Sequence, residues 1–96
     1  MAGFEWDEHK RHLTLAKHQI DFVDAAEIFN GPYVKLVGKS ETEQRFIAIG
    51  QVQGYFIAVV FTEREDVIRI ITARRARENE RQAYSRYVAG RSEKDS

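Results

Sequence analysis

Apolar residues along this chain change their spacing once, near residue 32. Before it, Phe22, Ala25, Ala26 and Phe29 recur at i, i+3, i+4 and i+7, the single stripe of an amphipathic helix. Asp21 precedes the stripe as an N-cap, Asp24 stands at N3 as a short capping-box acid, and Ile20 staples the entry against Ala25. Further upstream, Phe4 and Trp6 alternate with Glu5 in a short extended segment. Asp7 caps a first helix that begins at Glu8, with Leu13 and Ala16 on a shared face and Leu15 beside it. That helix ends on Lys17-His18-Gln19, where cations suit the negative end of the helix dipole. Gly31-Pro32 breaks the pattern.

Beyond Pro32 the period is that of strands. Tyr33 to Val37 alternates weakly, and Gln44 to Ile49 reads as a strand closed by Gly50. Gln51 to Gly54 is a turn. Tyr55 to Phe61 is the most apolar segment, as expected of a central strand covered on both faces. Glu63 to Asp66 is a tight polar turn, and Val67 to Ala73 returns as a hairpin. Strict alternation places Val67, Arg69, Ile71 and Ala73 on one face of that strand, and Ile68, Ile70 and Thr72 on the other. A last helix is expected from about Arg75 to Val88, with Ala76, Glu80, Ala83, Tyr84 and Tyr87 on its inner face. Gly90 stops it, leaving residues 91–96 as a disordered tail after a single domain over 1–90. The order predicts an α+β fold: a short N-terminal strand, two helices, an antiparallel sheet of three to four strands, and a C-terminal helix. Strands that follow one another without intervening helices exclude a doubly wound parallel sheet.

Composition narrows the function classes. Ninety-six residues, 43% of them hydrophobic, supply one core. Fifteen Lys and Arg balance fifteen Asp and Glu, which argues against a strongly basic coat for nucleic acid. The absence of Cys excludes disulfides, thiolate chemistry and Cys-ligated zinc. Of the three His, His9 and His12 read as surface groups on a polar helix face, so no metal site is expected. No apolar run approaches the ~18 residues of a membrane span, and the start carries no signal-peptide pattern, so the expected compartment is the cytoplasm.

The zero net charge hides an asymmetry. Residues 1–30 carry three Lys or Arg against six acids, 3 − 6 = −3; residues 64–91 carry eight Arg against four acids, 8 − 4 = +4. The cationic end holds Arg and no Lys, and the planar Arg fork matches phosphate and carboxylate. There is no Gly-rich phosphate loop, no His-Glu-x-x-His and no Gly-x-Ser-x-Gly. Candidate chemistry therefore rests on Glu63 and Arg64 at the end of the central strand, Arg69 inside an apolar strand, Arg74 just past it, and Glu80 and Tyr84 on the last helix. Two readings stay open. Either the Arg stems lie across apolar surface and snorkel, or one sheet face is a concave oxyanion-binding surface.

The same residues carry a resemblance. Phe4-Glu5-Trp6-Asp7-Glu8-x-Lys10, Lys17-His18-x-Ile20-x-Phe22-x-Asp24-Ala25-Ala26 and Arg45-Phe46-Ile47-Ala48-Ile49-Gly50 resemble the BrnT family of bacterial toxins. So do Phe61-Thr62-Glu63-Arg64, Ile68-Arg69-Ile70-Ile71-x-Ala73-Arg74 and Glu80-Arg81-x-x-Tyr84, and the blocks run in order over nearly the whole chain. Two positions depart: Thr14 stands where the family usually has Asn, and Gln19 where a Gly usually follows Lys-His, which strains a left-handed C-cap. The resemblance implies a RelE-like fold and a type II toxin that inhibits translation by cleaving RNA without a metal or other cofactor. It also implies a cognate BrnA-like antitoxin that neutralises the toxin and supplies the DNA-binding part, so that operator DNA is met only through the antitoxin. No membrane is involved.

Metal-free cleavage needs the 2′-OH deprotonated, the pentacoordinate phosphate stabilised and the 5′-oxygen protonated. The site residues the resemblance implies are Lys17, His18, Glu63, Arg64, Arg69, Arg74, Glu80 and Tyr84: the Arg for the phosphate, and Glu63, Glu80, His18 and Tyr84 as proton donors and acceptors. The alternatives are a non-catalytic module that binds an anion or a partner, and an inactive toxin-like subunit acting in operon autoregulation.

Overall fold

The structure is a computed structural model that describes residues 3–95, with side chains as far as Gly90. The elements are β1 (Gly3–Trp6), α1 (Glu8–His18), α2 (Phe22–Ala25, continuing as a 3-10 turn over Ala26–Asn30), β2 (Val34–Val37), β3 (Phe46–Val52), β4 (Tyr55–Arg64), β5 (Val67–Arg75) and α3 (Glu78–Asp95). They build one sheet in the order β1-β5-β4-β3-β2. The expected α+β class and element order are present. The sheet is nevertheless mixed and five-stranded, because β1 joins it parallel to β5. Phe4 and Trp6 explain the docking. Their rings meet Phe29 at 5.7 Å and Phe22 at 6.0 Å, so the alternation that marks the strand also anchors it to the helical layer, with Trp6 partly buried and Phe4 still exposed.

Local sequence accounts for the boundaries. Asp7 accepts from the backbone N–H of His9 (2.8 Å) and Lys10 (3.3 Å), and Asp21 from that of Val23 (3.0 Å). Gln19 caps α1 in the left-handed region (φ 57°, ψ 34°), its N–H donating to the Leu15 carbonyl. The β3–β4 hairpin turns through Gln53 and Gly54, both at positive φ (53° and 84°), as a two-residue type I′ loop requires. Gly50 does not close β3, as the sequence reading had it. It lies buried inside the strand, where a Cβ would stand 3.1 Å from that of Ile28 on the 3-10 turn. Gly90 does not stop α3 either. Its φ is not positive, so it makes no left-handed cap, and the backbone stays helical to Asp95 through much of the expected tail; Ser96 lies outside the described residues.

The two faces of the sheet are filled differently. α2 and its 3-10 turn lay Phe22, Ala25 and Ile28 over Ile57, Val59, Phe61, Ile68 and Ile70. α3 lays Tyr84 and Val88, and the connection before it Ala76, over Ile49, Ala58, Phe56 and Leu36 on the opposite face. Among the described residues no helix is long and apolar enough to cross a membrane.

A β-bulge decides which side chains share a face. Val60 pairs with Thr72 but Phe61 pairs with Ile70, so Ile71 is an extra residue in β5. Strict alternation grouped Ala73 with Arg69. The bulge moves Ala73 onto the buried face with Ile68 and Ile70, and brings Arg69, Thr72 and Arg74 together on the other.

Candidate active site

Ladder partners in an antiparallel pair point to the same side. The β4–β5 register therefore sets four rows on the α3-side face: Ala58 with Arg74, Val60 with Thr72, Thr62 with Arg69, and Arg64 with Val67. α3 covers the first row through Tyr84. Toward the β4–β5 turn, cations occupy the face. Arg69 stands 3.5 Å from Glu5 of β1, and Arg64 stands 3.6 Å from Glu43 in the β2–β3 loop. Both contacts are too long for good hydrogen bonds, and each links half-exposed groups, so neither Arg is committed.

Beside the middle row, α1 runs along the second half of β5. Lys10, Leu13, Thr14, Lys17 and His18 enclose, with Ile71 and Thr72, a pocket of about 320 Å³. Thr14 is the buried residue of α1 and lines this pocket. Lys10, Thr14 and Thr72 were not singled out from sequence. Lys10, Thr14 and Lys17 at i, i+4 and i+7 do share a helix face, which was the available signal.

The other sequence candidates stand apart. Arg74 donates both arms of its fork to Glu80, at 2.8 and 3.0 Å, and Glu80 also accepts the Arg77 N–H at 2.8 Å. Glu80 thus stands at N3 of α3 and reaches back to the N–H of Arg77 before the helix, held by Arg74 from the sheet. The Arg74 guanidinium keeps its carboxyl below the usual carboxylate range, helped by the Arg77 N–H. Tyr84 is buried and packs edge-on against Phe56 at 5.6 Å. Glu63 pairs with Ile68 in the ladder, which turns it to the α2-side face, where Lys35 Nζ donates to it. Arg64 and Arg74 sit near opposite ends of β5, separated by ~20 Å at the rise of a strand, too far to meet one phosphate. Among the described residues no group of three or more His, Asp and Glu is placed to hold a metal ion.

Fold and site define a small α+β domain with Arg on the open half of one sheet face, beside a pocket lined by Lys10, Lys17 and His18. Residues 6–80 match the family described as the ribonuclease toxin, BrnT, of type II toxin-antitoxin systems, and the chain belongs to that family. Among solved structures it is similar to the crystal structure of the Brucella abortus ribonuclease toxin BrnT. The identity is 32% and the TM-score 0.62, over 81% of this chain and 100% of that one. No curated protein sequence matches. The chain is accordingly an endoribonuclease toxin of a type II toxin–antitoxin system, and a cognate antitoxin is its partner.

Proposed function

We propose that the toxin binds single-stranded RNA along the open half of the α3-side face and cleaves it beside the α1 pocket without a metal ion. The carrying observation is the register itself, which sets Arg69 and Arg64 on the same face as Thr72, next to the pocket of Lys17 and His18. In the proposed reaction the 2′-oxygen attacks the adjacent phosphorus and the bond to the 5′-oxygen breaks. A 2′,3′-cyclic phosphate and a free 5′-hydroxyl result. His18 is the group suited to the proton transfers. Lys17, Lys10 and Arg69 supply cationic charge where the phosphorane gains negative charge. Arg64 binds a neighbouring phosphate. Arg74, Glu80 and Tyr84 act at a distance by fixing α3 to the sheet, and Glu63 stands outside the cleft.

The same reading places the toxin in the cytoplasm, where its RNA is. Its antitoxin is BrnA-like, lays acidic or apolar groups across the Arg-lined face, and carries the operator-DNA contacts. Purified protein incubated with RNA in excess chelator tests the chemistry. Cleavage should persist and leave cyclic phosphate ends, and 2′-O-methyl RNA should stay intact. Activity that vanishes in chelator and returns with a divalent ion would refute the metal-free route.

A further inference from the structure

Among the described residues, two buried side-chain polar atoms have no hydrogen-bond partner: Arg45 Nε and Thr62 Oγ1. The sheet brings them together. β3 and β4 pair through Phe46 and Phe61, and one further step of that register sets Arg45 opposite Thr62. Alternation from Ile47 turns Arg45 to the α3-side face, and Thr62 shares that face with its ladder partner Arg69. Continued one residue beyond the start of β3, the row reads Arg45, Thr62, Arg69.

Buried polar groups are almost always satisfied, so two neighbouring exceptions ask for a cause. A water would satisfy the Thr62 hydroxyl, which is 3% exposed as a residue. Arg45 Nε differs in being a cationic donor whose one carboxylate, Glu43 Oε1, stands at 3.6 Å, beyond hydrogen-bond range, so it lacks an anionic acceptor. An oxyanion answers both, since its several acceptor oxygens take the hydroxyl and the guanidinium together. Glu43 stands 3.6 Å from both Arg45 and Arg64, and an oxyanion enters by displacing that loose carboxylate. Arg69 and Arg64 hold their carboxylates only at 3.5 and 3.6 Å, and α3 packs over the other end of the face.

We propose that Arg45 and Thr62 form a phosphate subsite for the RNA strand, with Arg69 on its β5 side, toward the α1 pocket and the linkage cut there. It lies one row from the α1 pocket, about 7 Å along the strands, a distance comparable to the step between successive phosphates of an extended chain. The inference rests on the RNA-binding reading of this face and adds to it a site that fixes register: a phosphate held here sets which neighbouring linkage reaches Lys17 and His18.

The test is binding of a single-stranded 2′-O-methyl oligoribonucleotide, which the toxin cannot cut, to wild type, Thr62→Val and Arg45→Gln, with melting curves for each. Thr62→Val keeps the shape and removes the orphan hydroxyl, so its melting temperature should hold or rise while binding weakens about tenfold. Arg45→Gln should weaken binding at least as much and make the slope of log affinity against log salt shallower by about 0.7. On cleavable RNA, Thr62→Val should raise KM and spread the cuts over neighbouring linkages, because register is no longer fixed. Wild-type affinity in both variants would overturn the subsite alone, as would unchanged oligonucleotide binding with weakened antitoxin binding. A wild-type toxin that binds no oligonucleotide would overturn the RNA reading of the face and the subsite with it.

Discussion

The two ends of one sheet face use the same residue types to opposite effect. Under α3, Arg74 and Glu80 meet through two short parallel hydrogen bonds, with the Glu80 side chain 6% exposed and the Arg77 N–H adding a third donor. Toward the β4–β5 turn, Arg64 and Arg69 meet Glu43 and Glu5 through single contacts of 3.6 and 3.5 Å, and Arg45 and Thr62 leave donors unspent. Desolvation separates the ends. A buried pair is kept only when its geometry is good and its lone pairs are filled. A half-exposed pair contributes little and yields to a better partner. Chemical identity alone does not assign function here; the degree of satisfaction does.

Substitutions at the two ends should therefore separate activity from stability. The largest effect is expected at the open end. Arg69→Ala and His18→Ala should each lower kcat/KM about a hundredfold or more, the usual cost of losing one transition-state donor or a positioned acid–base group. Their melting temperatures should stay close to wild type. Rates within threefold of wild type in both would place the chemistry elsewhere and dissolve the contrast.

Next comes the covered end. Arg74→Ala leaves the Glu80 carboxylate buried with only the Arg77 N–H, which should cost about 2 kcal/mol and lower the melting temperature by roughly 10 °C. Cleavage measured well below the melting temperature should stay within severalfold of wild type. If Arg74→Ala melts normally but does not cleave, Arg74 is a phosphate ligand and the two ends are not different in kind.

Sequence alone made much of this legible, and the exceptions have physical causes. Asp7 and Asp21 declared their helices because capping is local, two or three residues in reach. The parallel docking of β1 was hidden, since alternation marks a strand without naming its partner. The bulge at Ile71 was hidden for a related reason. A pairing irregularity leaves the sequence period intact, yet it reassigned Ala73 to the core and aligned Arg69 with Arg74. Arg74 and Glu80, six residues apart, were visible as chemistry, but their mutual satisfaction depends on the turn between β5 and α3. Arg45 and Thr62 passed unnoticed because an orphaned atom is defined by what surrounds it.

Acid should erode the covered end in a defined window. The Glu80 carboxyl is held below its ordinary 4.5 first by Arg74, and the Asp21 carboxyl below its ordinary 3.8 first by Arg11, which binds it at 2.8 Å. A carboxyl whose folded pKa is depressed contributes its full stability above the unfolded value and loses it as pH falls through the folded one. The melting temperature should therefore be level from pH 7 to about 5 with respect to these groups and fall below about 4.5. In Arg74→Ala that acid limb should be shallower, because Glu80 then has less to lose. An unchanged limb in the variant would mean that the Arg74–Glu80 pair contributes nothing to acid stability.

The smallest effect concerns Gln19, which lies in neither end but sets where Lys17 and His18 leave α1. A side chain in the left-handed region carries a strain of about 1 kcal/mol that glycine avoids. Gln19 recovers part of it, because its Nε2 donates to the Ala16 carbonyl at 3.1 Å and so satisfies one of the last carbonyls of the helix. Gln19→Gly removes the strain and that bond together and loosens the unfolded chain, so a net gain of about 0.5 kcal/mol is expected, seen as a rise of a few degrees in melting temperature. Gln19→Ala keeps the strain without the hydrogen bond and should be less stable than either. The order Gly, Gln, Ala follows only if the cap is left-handed in solution. Should Ala prove more stable than Gly, α1 does not end there, and the placement of His18 in the α1 pocket would have to be redrawn with it.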